Sequence, residues 1–156
     1  MKTLIHLAWG STVLTKAIYL VIAFYSQTPT DQATSPDPMI LVVMGSIGVL
    51  SALAGALLSH QIYTNPKVYN SKFAPHAHLG LKRIPLDNME GRLFVYSLMC
   101  LGMAENAAVF GLVGSLMTGN HAFLYAMIGV SLGSWLLQHP RYREFETNVL
   151  AALRNP

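Results

Sequence analysis

One carboxylate and one ammonium group stand inside long apolar stretches of this chain. Glu105 lies within Gly102-Met103-Ala104-Glu105-Asn106-Ala107-Ala108, and Lys16 interrupts the first apolar run. An unpaired charge in hydrocarbon is costly, so such residues are candidates for function. Desolvation favours the neutral form of a carboxylic acid, which is then able to hold and release a proton. Glu105 is therefore a candidate ion-binding residue, with Asn106 as a polar neighbour.

The composition explains why so few charges are available. The chain has 156 residues, of which 53% are hydrophobic and 11% are charged, whereas soluble domains carry roughly 25% charged residues. This balance predicts one integral membrane domain in a lipid bilayer. The net charge of +3 comes from basic residues beside apolar segments, which argues against nucleic acid as a partner. The single cysteine, Cys100, excludes a disulfide framework within one chain.

Four apolar segments are long enough to cross a bilayer, which takes roughly 20 helical residues. They cover residues 4–25, 39–60, 93–117 and 122–138. The first and third connections lack lysine and arginine, whereas the loop 61–92 and both termini contain them. The positive-inside rule then places the loop and both termini in the cytoplasm. We predict an all-α, integral membrane four-helix bundle of the bacterial inner membrane.

Two terminal segments have alternative interpretations. A cleaved signal peptide is the alternative to a first span, but Lys16 interrupts its apolar core, which favours the span. Residues 141–153 have apolar side chains at helical spacing. They predict a short amphipathic helix along the membrane surface. Contact with another subunit is the alternative use of this helix.

Small residues follow one another at intervals of four in the second and third spans, where they allow close approach of helix backbones. The second span has two such rows and the third has one. The predicted helix-packing residues are Gly48, Ala52, Gly55, Ala56, Ala107, Gly111 and Ser115.

The order of these features suggests a family. Glu105 precedes Ala108-Val109-Phe110-Gly111-Leu112-Val113, and a small-residue helix and Asn65-Pro66 come before it. Residues 40–118 thus resemble the hairpin of the c subunit, or proteolipid, of rotary ATPases. The resemblance implies that Glu105 carries a proton or a sodium ion. The loop 61–92 is longer than the family's, and the first and fourth spans have no counterpart in a single hairpin.

Lys16 supports an alternative role for the same carboxylate. Lys16 and Glu105 each lie roughly 12 residues from the cytoplasmic ends of their spans, which places them at similar depth at about 1.5 Å per residue. A bilayer tolerates such groups when they pair, and a nearby ammonium keeps a carboxylate ionised. The chain would then be a structural or assembly subunit, for instance of a respiratory or secretion complex, with Lys16–Glu105 as a packing ion pair.

Histidines are the remaining candidate ligands. His60 and His139 stand at helix ends on the predicted cytoplasmic side, and His76 and His78 lie in the loop. Two histidines at equal depth could ligate haem, and the His-Ala-His pair could bind a metal, but no further ligand has a characteristic spacing. Histidines at a membrane interface usually bond headgroups or water, so no cofactor is predicted.

Other features concern partners rather than catalysis. The sequence contains no phosphate-binding loop, nucleophile elbow or zinc-binding helix, so an autonomous enzyme is not expected. A small chain with four spans and helix-packing rows is typical of a subunit. The predicted partners are other membrane subunits or further copies of the chain, together with a cytoplasmic protein at the loop 61–92.

Overall fold

The computed structural model describes residues 2–26, 38–70 and 89–154, which are helical and contain no strand. The all-α prediction is confirmed for this part of the chain. The helices are α1 (Lys2–Tyr25), α2 (Pro38–Thr64), α3 (Lys67–Asn70), α4 (Met89–Thr118), α5 (His121–Leu137), α6 (Tyr142–Glu144), a π-helical turn (Phe145–Leu150) and α7 (Ala151–Arg154).

Three of these helices, α1, α2 and the Gly91–Thr118 part of α4, are long and apolar enough to cross a membrane. They contain the first three predicted spans. The fourth, α5, is apolar but has 17 residues, which corresponds to a length of about 26 Å. The predicted cytoplasmic loop lies mostly at residues 71–88, outside the described part of the chain, and so do His76 and His78.

A tight turn sets α5 beside α4. Gly119 has a φ of 66°, a left-handed conformation in which the absence of a side chain avoids a clash. Asn120 follows, and its side-chain oxygen accepts a hydrogen bond from the backbone N–H of Phe123 at 3.3 Å. This cap satisfies one of the free amide groups at the start of α5. The two helices therefore form an antiparallel pair.

Helix α4 occupies the centre of the bundle. It packs against α1, α2 and α5, and both α1 and α2 also contact α5. Half of the most apolar window of α4 is buried, compared with 17% of the corresponding windows of α1 and α2. Large apolar side chains on the outer faces of α1 and α2 are widely exposed. An apolar surface of this extent is typical of a membrane protein.

The C-terminal helical segment packs on the bundle's own end. Phe145 and Val149 are buried in a cluster with Ile5 of α1, Tyr63 of α2 and Leu93 of α4. The predicted helix 141–153 therefore exists as helix interrupted by a π-helical turn. Its most buried apolar side chains pack against α1, α2 and α4. Less of its apolar face is therefore left for a membrane surface or for another subunit.

Candidate functional site

The ammonium group of Lys16 and the carboxylate of Glu105 are in direct contact. Lys16 Nζ on α1 donates to Glu105 Oε1 on α4, although the two residues are 89 positions apart. The lysine side chain is 3% exposed and the glutamate side chain is 17% exposed. The ion pair is thus enclosed between two helices, where each charge compensates for the other's loss of water.

The two members of the ion pair differ in how fully their hydrogen bonds are satisfied. Lys16 Nζ also donates to the carbonyl oxygen of Thr12, one turn earlier on α1, at 3.2 Å. Glu105 Oε2 is buried and accepts no hydrogen bond from any described residue. The lysine is therefore held by two acceptors, whereas one of the two carboxylate oxygens has no donor among the described residues.

Asn106, the predicted polar neighbour of Glu105, points away from the ion pair. Its side-chain nitrogen donates to Ser51 Oγ on α2 at 3.1 Å, and Ser51 Oγ donates to the carbonyl oxygen of Met103 at 3.1 Å. The side chain of Asn106 is exposed. Consecutive residues of α4 therefore connect this helix to α1 through Glu105 and to α2 through Asn106.

Two glycines of α2 permit its close approach to α4. A Cβ atom at Gly48 would lie 3.1 Å from the Cα of Ala107, and one at Gly55 would lie 2.9 Å from the carbonyl oxygen of Cys100. Both distances are shorter than an ordinary van der Waals contact. Ala52 and Ala107 are buried between the helices. The α2–α4 interface is consequently built from backbone in contact with backbone.

The remaining predicted packing residues have other neighbours. Gly111 faces α5, where an added Cβ would lie 2.6 Å from Cβ of Met127. Ser115 is buried near the turn, with its hydroxyl 3.1 Å from Nδ1 of His121. Ala56 is partly buried on α2. The small row of α4 thus turns from α2 at Ala107 towards α5 at Gly111.

A pair of tryptophans joins α1 to α5 near the ion pair, and the sequence analysis did not identify it. The indole rings of Trp9 and Trp135 stack with centroids 4.0 Å apart. Each indole N–H donates to the other residue's carbonyl oxygen, at 3.2 Å from Trp9 and 2.7 Å from Trp135. This contact fixes α1 two turns before Lys16. Two tryptophans at matching predicted depths were the only sequence signal available.

Two further buried polar side chains, Ser134 and Gln138, lie at the C-terminal end of α5. Ser134 Oγ donates to the carbonyl oxygen of Ala52 at 2.7 Å, and Gln138 Nε2 donates to Ser134 Oγ at 2.9 Å. Gln138 is 4% exposed, and its Oε1 accepts no bond from the described residues. A cavity of about 10 Å³ adjoins it, lined also by Ser59, Tyr63 and Ser97. This volume is close to that of a single water site.

His60 and His139, two histidines in the described part of the chain, have basic or aromatic neighbours. Within the described residues, no three histidine, cysteine or acidic side chains are grouped so as to hold a metal ion. His60 Nδ1 lies 3.4 Å from Nη1 of Arg141. His139 packs against the ring of Trp9 at 5.1 Å and lies 6.2 Å from the ring of His6. Neither histidine lies next to an acidic or cysteine side chain in these contacts.

The ion pair and the polar contacts between the helices offer two kinds of chemistry. The carboxylate can hold a counter-ion, and the polar groups between helices can fix their relative positions. Comparison with known proteins adds no family to this description. No family model, curated protein or solved structure matches the chain.

Proposed function

We propose that the protein is a membrane-embedded subunit of a larger complex and that Lys16–Glu105 is a structural ion pair that positions its first helix. The observation that supports this role is the burial of the pair, with Lys16 3% exposed and bonded to Glu105. The ammonium of Lys16 already occupies Oε1 of Glu105, which favours a fixed contact between two charges over a mobile ion. The charge of Glu105 then stabilises the contact between α1 and α4.

The proposed membrane arrangement has four spans. Helix α5 has 17 residues, which is at the lower limit of the roughly 17 to 25 residues needed to cross the hydrocarbon. Basic residues flank the end of the bundle where both termini meet. By the positive-inside rule, this end is cytoplasmic in a bacterial inner membrane. A respiratory or secretion complex is the class of assembly that we propose.

An exchange of the two charges tests the structural role. The variant Lys16→Glu places two acids in contact and should not accumulate as folded protein, because like charges repel strongly in a low dielectric. Adding Glu105→Lys restores an ion pair of reversed polarity. We expect the exchanged variant to recover most of the wild-type thermal stability in lipid nanodiscs. If it is no more stable than Lys16→Glu alone, the structural role is wrong.

One observation favours a second function, the proteolipid-like carrier. Glu105 Oε2 is buried without a described hydrogen-bond partner, so one oxygen is free to take a proton or a sodium ion. A carbodiimide modifies protonated carboxylic acids and therefore separates the two functions. The carrier requires rapid labelling at Glu105 that sodium or high pH suppresses. The structural ion pair predicts that Glu105 stays unlabelled until Lys16→Met removes the ammonium.

A further inference from the structure

The outer face of α4 is uncovered although the helix is central to the bundle. Exposed positions along it follow one another at intervals of four, three, four and three residues: Gly102, Asn106, Val109, Val113 and Leu116. This is the 3.5-residue repeat of a helix that packs along a parallel partner. Among the described helices, α1, α2 and α5 cover the other sides of α4 and none covers this face.

Asn106 identifies the kind of partner that fits. Its amide uses one N–H to bond Ser51, which leaves a second N–H and the side-chain oxygen unbonded by described residues. Asn106 is about 18 Å from the nearer end of the 28-residue apolar segment Gly91–Thr118, so its short side chain cannot reach the membrane surface. A donor and an acceptor in hydrocarbon require a partner at the same depth.

We propose that this face, which we call the α4 seam, pairs with the α4 seam of a second copy of the chain. A carboxamide is self-complementary, and a two-fold axis parallel to α4 brings Asn106 against the same residue of the other copy at equal depth. A single asparagine in such a repeat specifies a parallel pair of helices. The proposal rests on the proposed function, since it names the partner of a membrane subunit.

Gly102 makes the close approach possible, one turn before Asn106. A Cβ atom placed at Gly102 meets nothing within 4 Å, so the glycine is not required by packing inside one copy. Small residues allow two membrane helices to approach closely enough for van der Waals contact and interhelical hydrogen bonds. The valines and leucine further along the seam supply the apolar contacts on either side of the axis.

Association of the full-length chain in lipid vesicles tests the seam. We expect Gly102→Leu and Asn106→Leu each to weaken self-association at least tenfold. The matched control is Gly129→Leu on α5, because Gly129 is also exposed with nothing within 4 Å of an added Cβ. That control should associate as the wild type does. A wild-type chain that stays monomeric at high protein-to-lipid ratio overturns the proposal, as does equal association of all three variants.

Disulfide trapping gives a readout that does not depend on a weakened variant. With the buried Cys100 changed to alanine, Val109→Cys on the seam should form a covalent dimer under mild oxidation. Leu50→Cys, which is exposed on α2, should not. Dimers that form only through Leu50→Cys contradict the seam. The charge-exchange experiment measures the stability of a single copy of the chain. If the association tests contradict the α4 seam, the proposed structural role of Lys16–Glu105 is therefore unaffected.

Discussion

At the scale of single residues, the ion pair makes α1 and α4 depend on one another. Removing one charge from a buried pair leaves the other without compensation, which typically costs about 3–5 kcal/mol. Lys16 has a second acceptor in the carbonyl of Thr12, whereas Glu105 Oε2 has none among the described residues. The loss of Lys16 therefore leaves the carboxylate of Glu105 with no hydrogen-bond donor from the described residues.

Tyr69 is a second buried residue whose contribution to stability can be measured. Burial raises the pKa of its phenol above the ordinary value of 10.0, and the protonated hydroxyl donates to the carbonyl oxygen of Ile62 at 2.8 Å. Tyr69→Phe should lower the free energy of unfolding by about 0.5–1.5 kcal/mol at neutral pH.

The sign of the pH dependence of Tyr69 follows from its raised pKa. In the unfolded chain the phenol of Tyr69 ionises near pH 10, whereas in the folded chain it retains its proton above that pH. The stability that Tyr69 contributes is therefore lost as the pH rises above 10. Unfolding in nanodiscs at pH 7, 10 and 11 should show a smaller alkaline loss in Tyr69→Phe than in wild type. Equal losses in the two proteins would contradict this account of Tyr69.

Only part of the site could be predicted at this scale. Counting residues from the predicted cytoplasmic ends placed Lys16 and Glu105 at similar depth, but a count gives no helix rotation, so it could not establish their contact. The reciprocal bonds of Trp9 and Trp135 depend on how α1 and α5 are rotated and on backbone acceptors. No residue pattern specifies such a rotation, which is why this pair was missed.

At the scale of helices, the interface between α2 and α4 depends on Gly55. An added Cβ there would lie 2.9 Å from both the Cys100 carbonyl oxygen and the Met103 Cβ. Gly55→Leu should therefore separate the helices and lower the unfolding free energy by about 1–3 kcal/mol or more. Gly133→Leu is the control, because nothing lies within 4 Å of a Cβ at that glycine. Thermal unfolding in nanodiscs measures both, and equal destabilisation would refute close packing at Gly55.

The extents of α1, α2, α4 and α5 were predictable because long apolar segments between charged or proline-containing stretches have few alternatives to helix in a bilayer. Their neighbours were less predictable. The small row of α4 has two neighbours, since Ala107 lies beside α2 and Gly111 beside α5. Intervals of four residues drift around a helix with 3.6 residues per turn, so one row reaches two partners.

At the scale of the whole molecule, the C-terminal segment closes one end of the bundle. Phe145 is 2% exposed and packs in a cluster formed by α1, α2, α3 and α4. Phe145→Ala should lower the unfolding free energy by about 3–5 kcal/mol, since it leaves a cavity among several helices. Asn148→Ala on the exposed side should change it little. The prediction fails if both variants unfold at the same temperature as wild type.

The orientation of the molecule also has a direct test. With Cys100 changed to alanine, Thr3→Cys and Asn148→Cys place thiols at exposed positions near the two termini. A membrane-impermeant maleimide should label both in inside-out vesicles and neither in intact spheroplasts, because both termini are proposed to be cytoplasmic. Labelling of either thiol in intact spheroplasts would contradict the four-span arrangement.

The most direct test of the central claim is a double-mutant cycle on the ion pair. It uses Lys16→Met, Glu105→Gln and the double variant, with the unfolding free energy of each measured in the same nanodiscs. We predict that each single variant is strongly destabilised. The double variant should lose about 1–3 kcal/mol less unfolding free energy than the sum of the two single losses. Additive effects, within about 0.5 kcal/mol, would show that Lys16 and Glu105 are not coupled and would contradict the structural role of the pair.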